Sequence, residues 1–198
     1  MEFPLLPFVL FAIAGSVTPG PNVLLVAAGA AHNGVRATVP HVVGISCGFA
    51  VMILIVGAGL AVPLTAFPAV QVVMRWAGAA WISWIAWQIA NSPAPGEGTA
   101  RPPMSFMTAA MFQWVNPKAW MLAIGMTTAW TVPGVPLMQQ YMAMAVIFGV
   151  FGMPCSLAWA VLGEQANRFL HRPRHVHVFN VTMAVLLVLS MIPVLLPG

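Results

Sequence analysis

Residues 3–31 carry no charged side chain, and a run this long and apolar is stable only as a helix shielded from water. Yet "TPGPN" (18–22) sits in its middle. Proline removes a backbone N–H and its ring collides with the preceding turn, so the helix must break there and strand its carbonyls. Inside a bilayer such groups are tolerated only where protein buries them or where they line a cavity. Composition closes the escape to a soluble fold. Of 198 residues, 61% are hydrophobic and 5% charged, mean hydropathy is +0.93, and aspartate is absent, whereas soluble domains carry about 25% charge. The net charge of +4 is too sparse to suggest nucleic acid. In a membrane protein the positions of the basic residues matter instead.

A span needs about 20 apolar residues. The sequence predicts six, at 3–31, 41–62, 69–90, 104–132, 137–162 and 176–196. The polar stretch "NSPAPGEGTARPP" (91–103) reads as the clear loop. It splits a single transmembrane domain (1–198) into a first repeat, 1–90, and a second, 104–198. The expected fold class is an all-α membrane protein: six transmembrane helices as two inverted three-helix repeats, with helices 1 and 4 broken by proline motifs. Arg36, Arg101, Arg168, Arg172 and Arg174 fall in the first, third and fifth connections, whereas "AVPLTAFPA" and "TVPGVP" carry no Lys or Arg. The positive-inside rule then puts the odd connections in the cytoplasm and both termini outward, in keeping with Glu2 near the start. Arg75 lies a turn or two inside the third span and is expected to snorkel. The N-terminus has no basic n-region and reads as the start of the first span.

A second break, "WVNPKAW" (114–120), opens the second half as "TPGPN" opens the first. At 1.5 Å per residue the breaks lie about 15 and 18 Å from the cytoplasmic face, near the middle of a core about 30 Å thick. Paired interruptions in matching helices of inverted halves point to a transport site between them. Each break exposes the N-terminus of a half-helix, which favours an anion such as a substrate carboxylate. The substrate-binding candidates are therefore Pro19, Gly20, Pro21, Asn22, Asn116, Pro117 and Lys118.

Lys118 is the ionisable residue nearest mid-membrane, where a charge costs about 2.5–3.5 kcal/mol. It serves either as counter-charge or proton site for the cargo, or more simply snorkels to an interface or donates to carbonyls freed by Pro117. Asn22 and Asn116 cap a half-helix or bond the cargo. Gln113, Ser46, Thr127 and Thr128 are secondary candidates. Gly44 and Gly48 form a GxxxG face and Gly149 and Gly152 a second small face; both are expected to serve close helix packing and gating. His32 and His41 can titrate near neutral pH, but solvation at the interface accounts for them more simply. Glu164 and Arg168 have the i,i+4 spacing of a weak pair. The basic fifth connection suits anionic headgroups. Pro154 and Pro193 read as simple kinks. Trp76, Trp81, Trp84 and Trp87 exceed what one interfacial belt requires.

"TPGPNVLLVAAGAAHNGVRA" (18–37), "RWAGAAWISWIAWQI" (75–89) and "QWVNPKAW" (113–120) together resemble the LysE/RhtB-type amino-acid exporters, in order and over nearly the whole chain. The resemblance implies a bacterial inner-membrane secondary carrier that exports amino acids or derivatives, driven by protons. One departure is visible. Many members carry an acidic residue in the second helix after the GxxxG pattern, where Phe49 stands here.

The expected function is thus export of a small molecule with a carboxylate, by alternating access, with lipid and protons as partners and a homodimer compatible with the pattern. No cofactor, metal, nucleic acid or enzymatic role is expected. A rival reading is a membrane thiol–disulfide carrier using Cys47 and Cys155. Both cysteines lie in apolar segments, where burial as small hydrophobes is the simpler account and blunts reactivity. A membrane hydrolase ranks last, because the clustered His, Asp or Glu of such chemistry is missing.

Overall fold

The computed structural model describes residues 3–60, 67–92, 102–167 and 173–192. Among these residues every regular element is helical: α1 (Leu5–Val17), α2 (Pro21–Ile55) ending in a π turn (Val56–Leu60), α3 (Pro68–Ala90), α4 (Phe106–Phe112) running into a 3-10 turn (Gln113–Val115), α5 (Pro117–Ala129), α6 (Leu137–Asn167) and α7 (Pro173–Leu189). Both proline motifs break their helices where expected. Prolines 21 and 117 each begin the following helix, the position where a missing N–H does no harm.

The first connection differs from expectation. A connection outside the spans is expected between residues 31 and 41, but α2 runs through it as two arms, 21–33 and 35–55, meeting at Gly34 with φ +80°. In a straight helix Asn22 and Ser46 would stand about 36 Å apart, yet both border one small cavity, and Val26 and Ala30 pack with Val42 and Ile45. The arms therefore fold back on each other about a single residue. Glycine takes this φ without the clash a Cβ would cause. The second arm is fixed by the Val35 N–H, which donates to Glu164 Oε1 at 3.3 Å. His32, expected in a solvated connection, is consequently helical and half-buried, with Nε2 2.9 Å from Asn180 Oδ1. His41, expected to be solvated, is 1% exposed.

Helix α2 packs chiefly on α6, with α1 on α6, α4 on α2, and α3 on α7. A Cβ on Gly44 would lie 2.3 Å from the Phe106 carbonyl, and one on Gly48 2.5 Å from Ala110 Cα. The GxxxG face thus brings the 35–55 arm into backbone contact with α4. On α6, Gly152 meets Ser16 Oγ (2.9 Å from the added Cβ), but Gly149 faces open space, so the expected packing role fails at Gly149. Helix α6 also continues past the expected end at Leu162, to Asn167. The core gathers Phe8, Phe49 and Phe148 in edge contacts, with Met126 and Met144 between helices. The outside is apolar: Leu6 is 69% exposed, Val73 66% and Trp87 62%. That inversion is what a lipid-facing surface requires. Trp76 and Trp84 also point outward. Cys47 is exposed and Cys155 partly so, correcting the expectation that both are buried.

Asn180 links His32 to the Ser92 carbonyl, to which its Nδ2 donates at 3.1 Å, and Glu164 meets the Gly34 turn. The described parts of the first, third and fifth connections therefore gather at one end of the molecule. Arg101, Arg168, Arg172, Glu2, Pro193, most of the 91–103 linker and most of "AVPLTAFPA" lie outside the described residues.

Candidate functional site

The two breaks leave carbonyls whose normal donors are missing. Pro21 has no N–H for Val17, and Pro117 none for Gln113. The fold replaces them with side chains and a tightened turn. Trp159 Nε1 donates to Val17 O (3.2 Å), Lys118 Nζ to Thr18 O (2.6 Å), Asn116 N to Gln113 O (3.3 Å), and Trp120 Nε1 to Trp114 O (2.9 Å). Lys118 therefore serves the break opposite its own. Of the two alternatives for it, donation to a freed carbonyl is observed, but the carbonyl belongs to the other half of the chain.

A cluster of side-chain amides ties the breaks together. Asn22 Nδ2 donates to Gln113 Oε1 (2.8 Å), and Asn22 Oδ1 accepts from Gln113 Nε2 (3.2 Å) and Asn116 Nδ2 (3.1 Å). Asn116 also caps α5, its Oδ1 accepting the Lys118 N–H at 3.1 Å. Asn22 caps nothing. The cap position of the 21–33 arm belongs to Gly20, which has no side chain to offer, so Asn22 is free to reach across. Gln113, ranked as secondary from the sequence, is the fully buried hub and is anchored to the Ala109 carbonyl at 2.9 Å.

Beside this cluster lies a cavity of about 60 Å³. Gly20, Asn22, Asn116 and Lys118 border it, as do Ser46 and Gly152. Pro21 and Pro117 are buried behind the wall, and Pro19 is exposed, so the prolines shape the site without lining it. Glycine at position 20 leaves room for the lysine stem, since a Cβ there would lie 2.8 Å from Lys118 Cδ. Thr127 and Thr128 bond carbonyls of their own helix and do not border the cavity. Gly149 does not border it either. Ser16 and Ser156 do, and sequence reasoning missed both. Neither sits near a motif, and no spacing along the chain reveals that α1 and α6 bring them together.

The electrostatics are one-sided. The N-termini of two 13-residue helical segments, the 21–33 arm and α5, converge here with the ammonium of Lys118, and among the described residues no carboxylate borders the cavity. Oriented N–H dipoles and a cation in a low-dielectric wall favour an anion. Among the described residues no group of three or more His, Cys, Asp or Glu side chains is placed to hold a metal.

The sequence matches the family described as LysE type translocator over residues 13–195. It is 31% identical over 183 residues to the cysteine/O-acetylserine efflux protein of Salmonella typhimurium (strain LT2), covering 91% of this chain and 92% of that protein. Against the cysteine/O-acetylserine efflux protein of Escherichia coli (strain K12) identity is 29% over 182 residues, with the same coverage. No solved structure matches it.

Proposed function

The chain belongs to the LysE type translocator family, and from that premise we propose that it exports a small amino acid or amino-acid derivative across the bacterial inner membrane. Its relatives are named for efflux of cysteine and O-acetylserine, and these are the first cargoes to try. The observation that carries the reading is the convergence of two half-helix N-termini and Lys118 on one cavity without a carboxylate. The cargo carboxylate binds there. The cavity of about 60 Å³ suits a short side chain, and Asn22, Asn116 and the serine hydroxyls accept or donate to the rest.

In this proposal residues 1–90 and 104–198 are inverted repeats of one domain, and six spans cross the membrane. Helix α1 with the 21–33 arm corresponds to α4 with α5, the 35–55 arm to α6, and α3 to α7. The gathering of the described parts of the odd connections at one end supports that pairing, and the arginines that the sequence assigns to those connections make it the cytoplasmic end. Both termini then face outward. The halves alternate access to the central cavity, with the proton gradient as the driving force. Lys118, Asn22 and Asn116 hold cargo, while Gly20, Pro19, Pro21 and Pro117 set the geometry around it. Gly44, Gly48 and Gly152 form the surfaces that shift. Nothing favours the thiol–disulfide carrier. Neither Cys47 nor Cys155 borders the cavity.

The test is efflux from cells preloaded with labelled cysteine, O-acetylserine and a panel of other amino acids. Expression should speed loss of a small amino acid, and an uncoupler should abolish the difference. Lys118→Met at matched expression should lower that efflux about tenfold or more. Equal retention of every compound with and without expression sinks the proposal.

A further inference from the structure

A second cavity, of about 330 Å³, lies toward the end where the odd connections gather. His32, His41, Trp84 and Thr108 are among the residues that border it, together with Pro102 and Pro103 at the end of the linker. His41 is 1% exposed and, among the described residues, neither ring nitrogen has a hydrogen-bond partner. A neutral imidazole has one N–H to donate and one nitrogen to accept, and buried polar atoms with no partner are rare. Four residues along the same arm, about 6 Å away, Ile45 borders the central cavity instead. His41 therefore stands between the two cavities, in the wall of the second and one helical turn from the first.

We infer that His41 is the proton-binding residue of the transport cycle. The inference rests on the export reading above and names the group that couples it to protons. When the central cavity opens outward, the imidazole takes a proton on its free nitrogen and becomes imidazolium. When the lower cavity connects to the cytoplasm, it returns that proton and is neutral again. One proton moves inward as one cargo molecule moves outward, and no bond other than N–H is made or broken.

The charged neighbours leave this role to His41, since Lys118 of α5 borders the central cavity and is bonded to the Thr18 carbonyl. The 21–33 arm offers His32, whose Nε2 is already paired with Asn180. Helix α6 offers Glu164, which is held by the Val35 N–H at the Gly34 turn. Helix α4 has no ionisable side chain, and Arg75 of α3 lies beyond Trp81, the first residue of that helix to border the cavity. Glu97 and Arg101 lie in 93–101, outside the described residues.

The experiment uses the full chain reconstituted in liposomes with labelled cysteine and O-acetylserine, for the parent and for His41→Asn. Two rates are compared: uphill movement driven by an imposed pH gradient, and counterflow at equal pH on both sides, which needs no net proton transfer. His41→Asn should lose uphill transport at least tenfold, keep counterflow within about twofold, and make counterflow independent of pH between about 5.5 and 8. Uphill transport at the parental rate overturns the inference. So does an equal loss of both rates in a variant that elutes as folded protein, since that is a merely structural role. If His41→Asn does not fold, His41→Gln takes its place, with the same outcomes. Absence of counterflow in the parent itself overturns the export reading, which separates the two failures.

Discussion

Gly34 is held at φ +80° and ψ +163°, a combination open to glycine and costing other residues about 1–3 kcal/mol. A Cβ there would also lie 3.0 Å from Glu164 Oε1. Gly34→Ala should therefore lower stability by about that amount, read as an earlier thermal transition of the detergent-solubilised protein. An unchanged transition would mean that the turn relaxes freely. Gly20 answers to a different demand. Its backbone is extended (φ −174°), which any residue adopts, and what glycine provides is space for the Lys118 stem.

At the scale of elements, glycines that look alike in the sequence divide by what faces them. A Cβ on Gly48 would lie 2.5 Å from Ala110 Cα and 2.6 Å from its carbonyl oxygen, and neither backbone can yield. Gly48→Leu should abolish recovery of folded protein. Gly149→Ala meets nothing within 4 Å and should be neutral or stabilising by about 0.5–1 kcal/mol, the helical preference for alanine. Size-exclusion profiles of the two variants check both statements. The same division explains what was legible in the sequence. Pro21 and Pro117 carry their signal in their own chemistry, since a missing N–H acts wherever the chain goes, so both breaks could be read directly. That the chain reverses between residues 31 and 41 was legible, but that two helical arms meet there at the single residue Gly34 was not, and only the "NG" pair marks it. The burial of His41, the outward face of Cys47 and the hub at Gln113 depend on how helices are rotated against each other. An apolar surface on both the lipid side and the core side erases the polarity pattern that reports such rotation in soluble helices.

For the whole molecule, the gathering of three connections at one end turns an orientation into a measurable claim. In a chain with Cys47 and Cys155 replaced by serine, a cysteine at Arg36 should resist a membrane-impermeant thiol reagent in intact cells. A cysteine at Val135, 39% exposed in the fourth connection, should react. The opposite pattern reverses the orientation. On the proposed reading, the 2.6 Å bond from Lys118 to the Thr18 carbonyl has a consequence for selectivity. That ammonium is already employed in holding the two repeats together, so a visitor bearing an anionic group must draw it away from the wall to be held at all. Loading and unlatching become a single event, and a molecule of the right size without that group would enter, leave the clasp shut, and go nowhere.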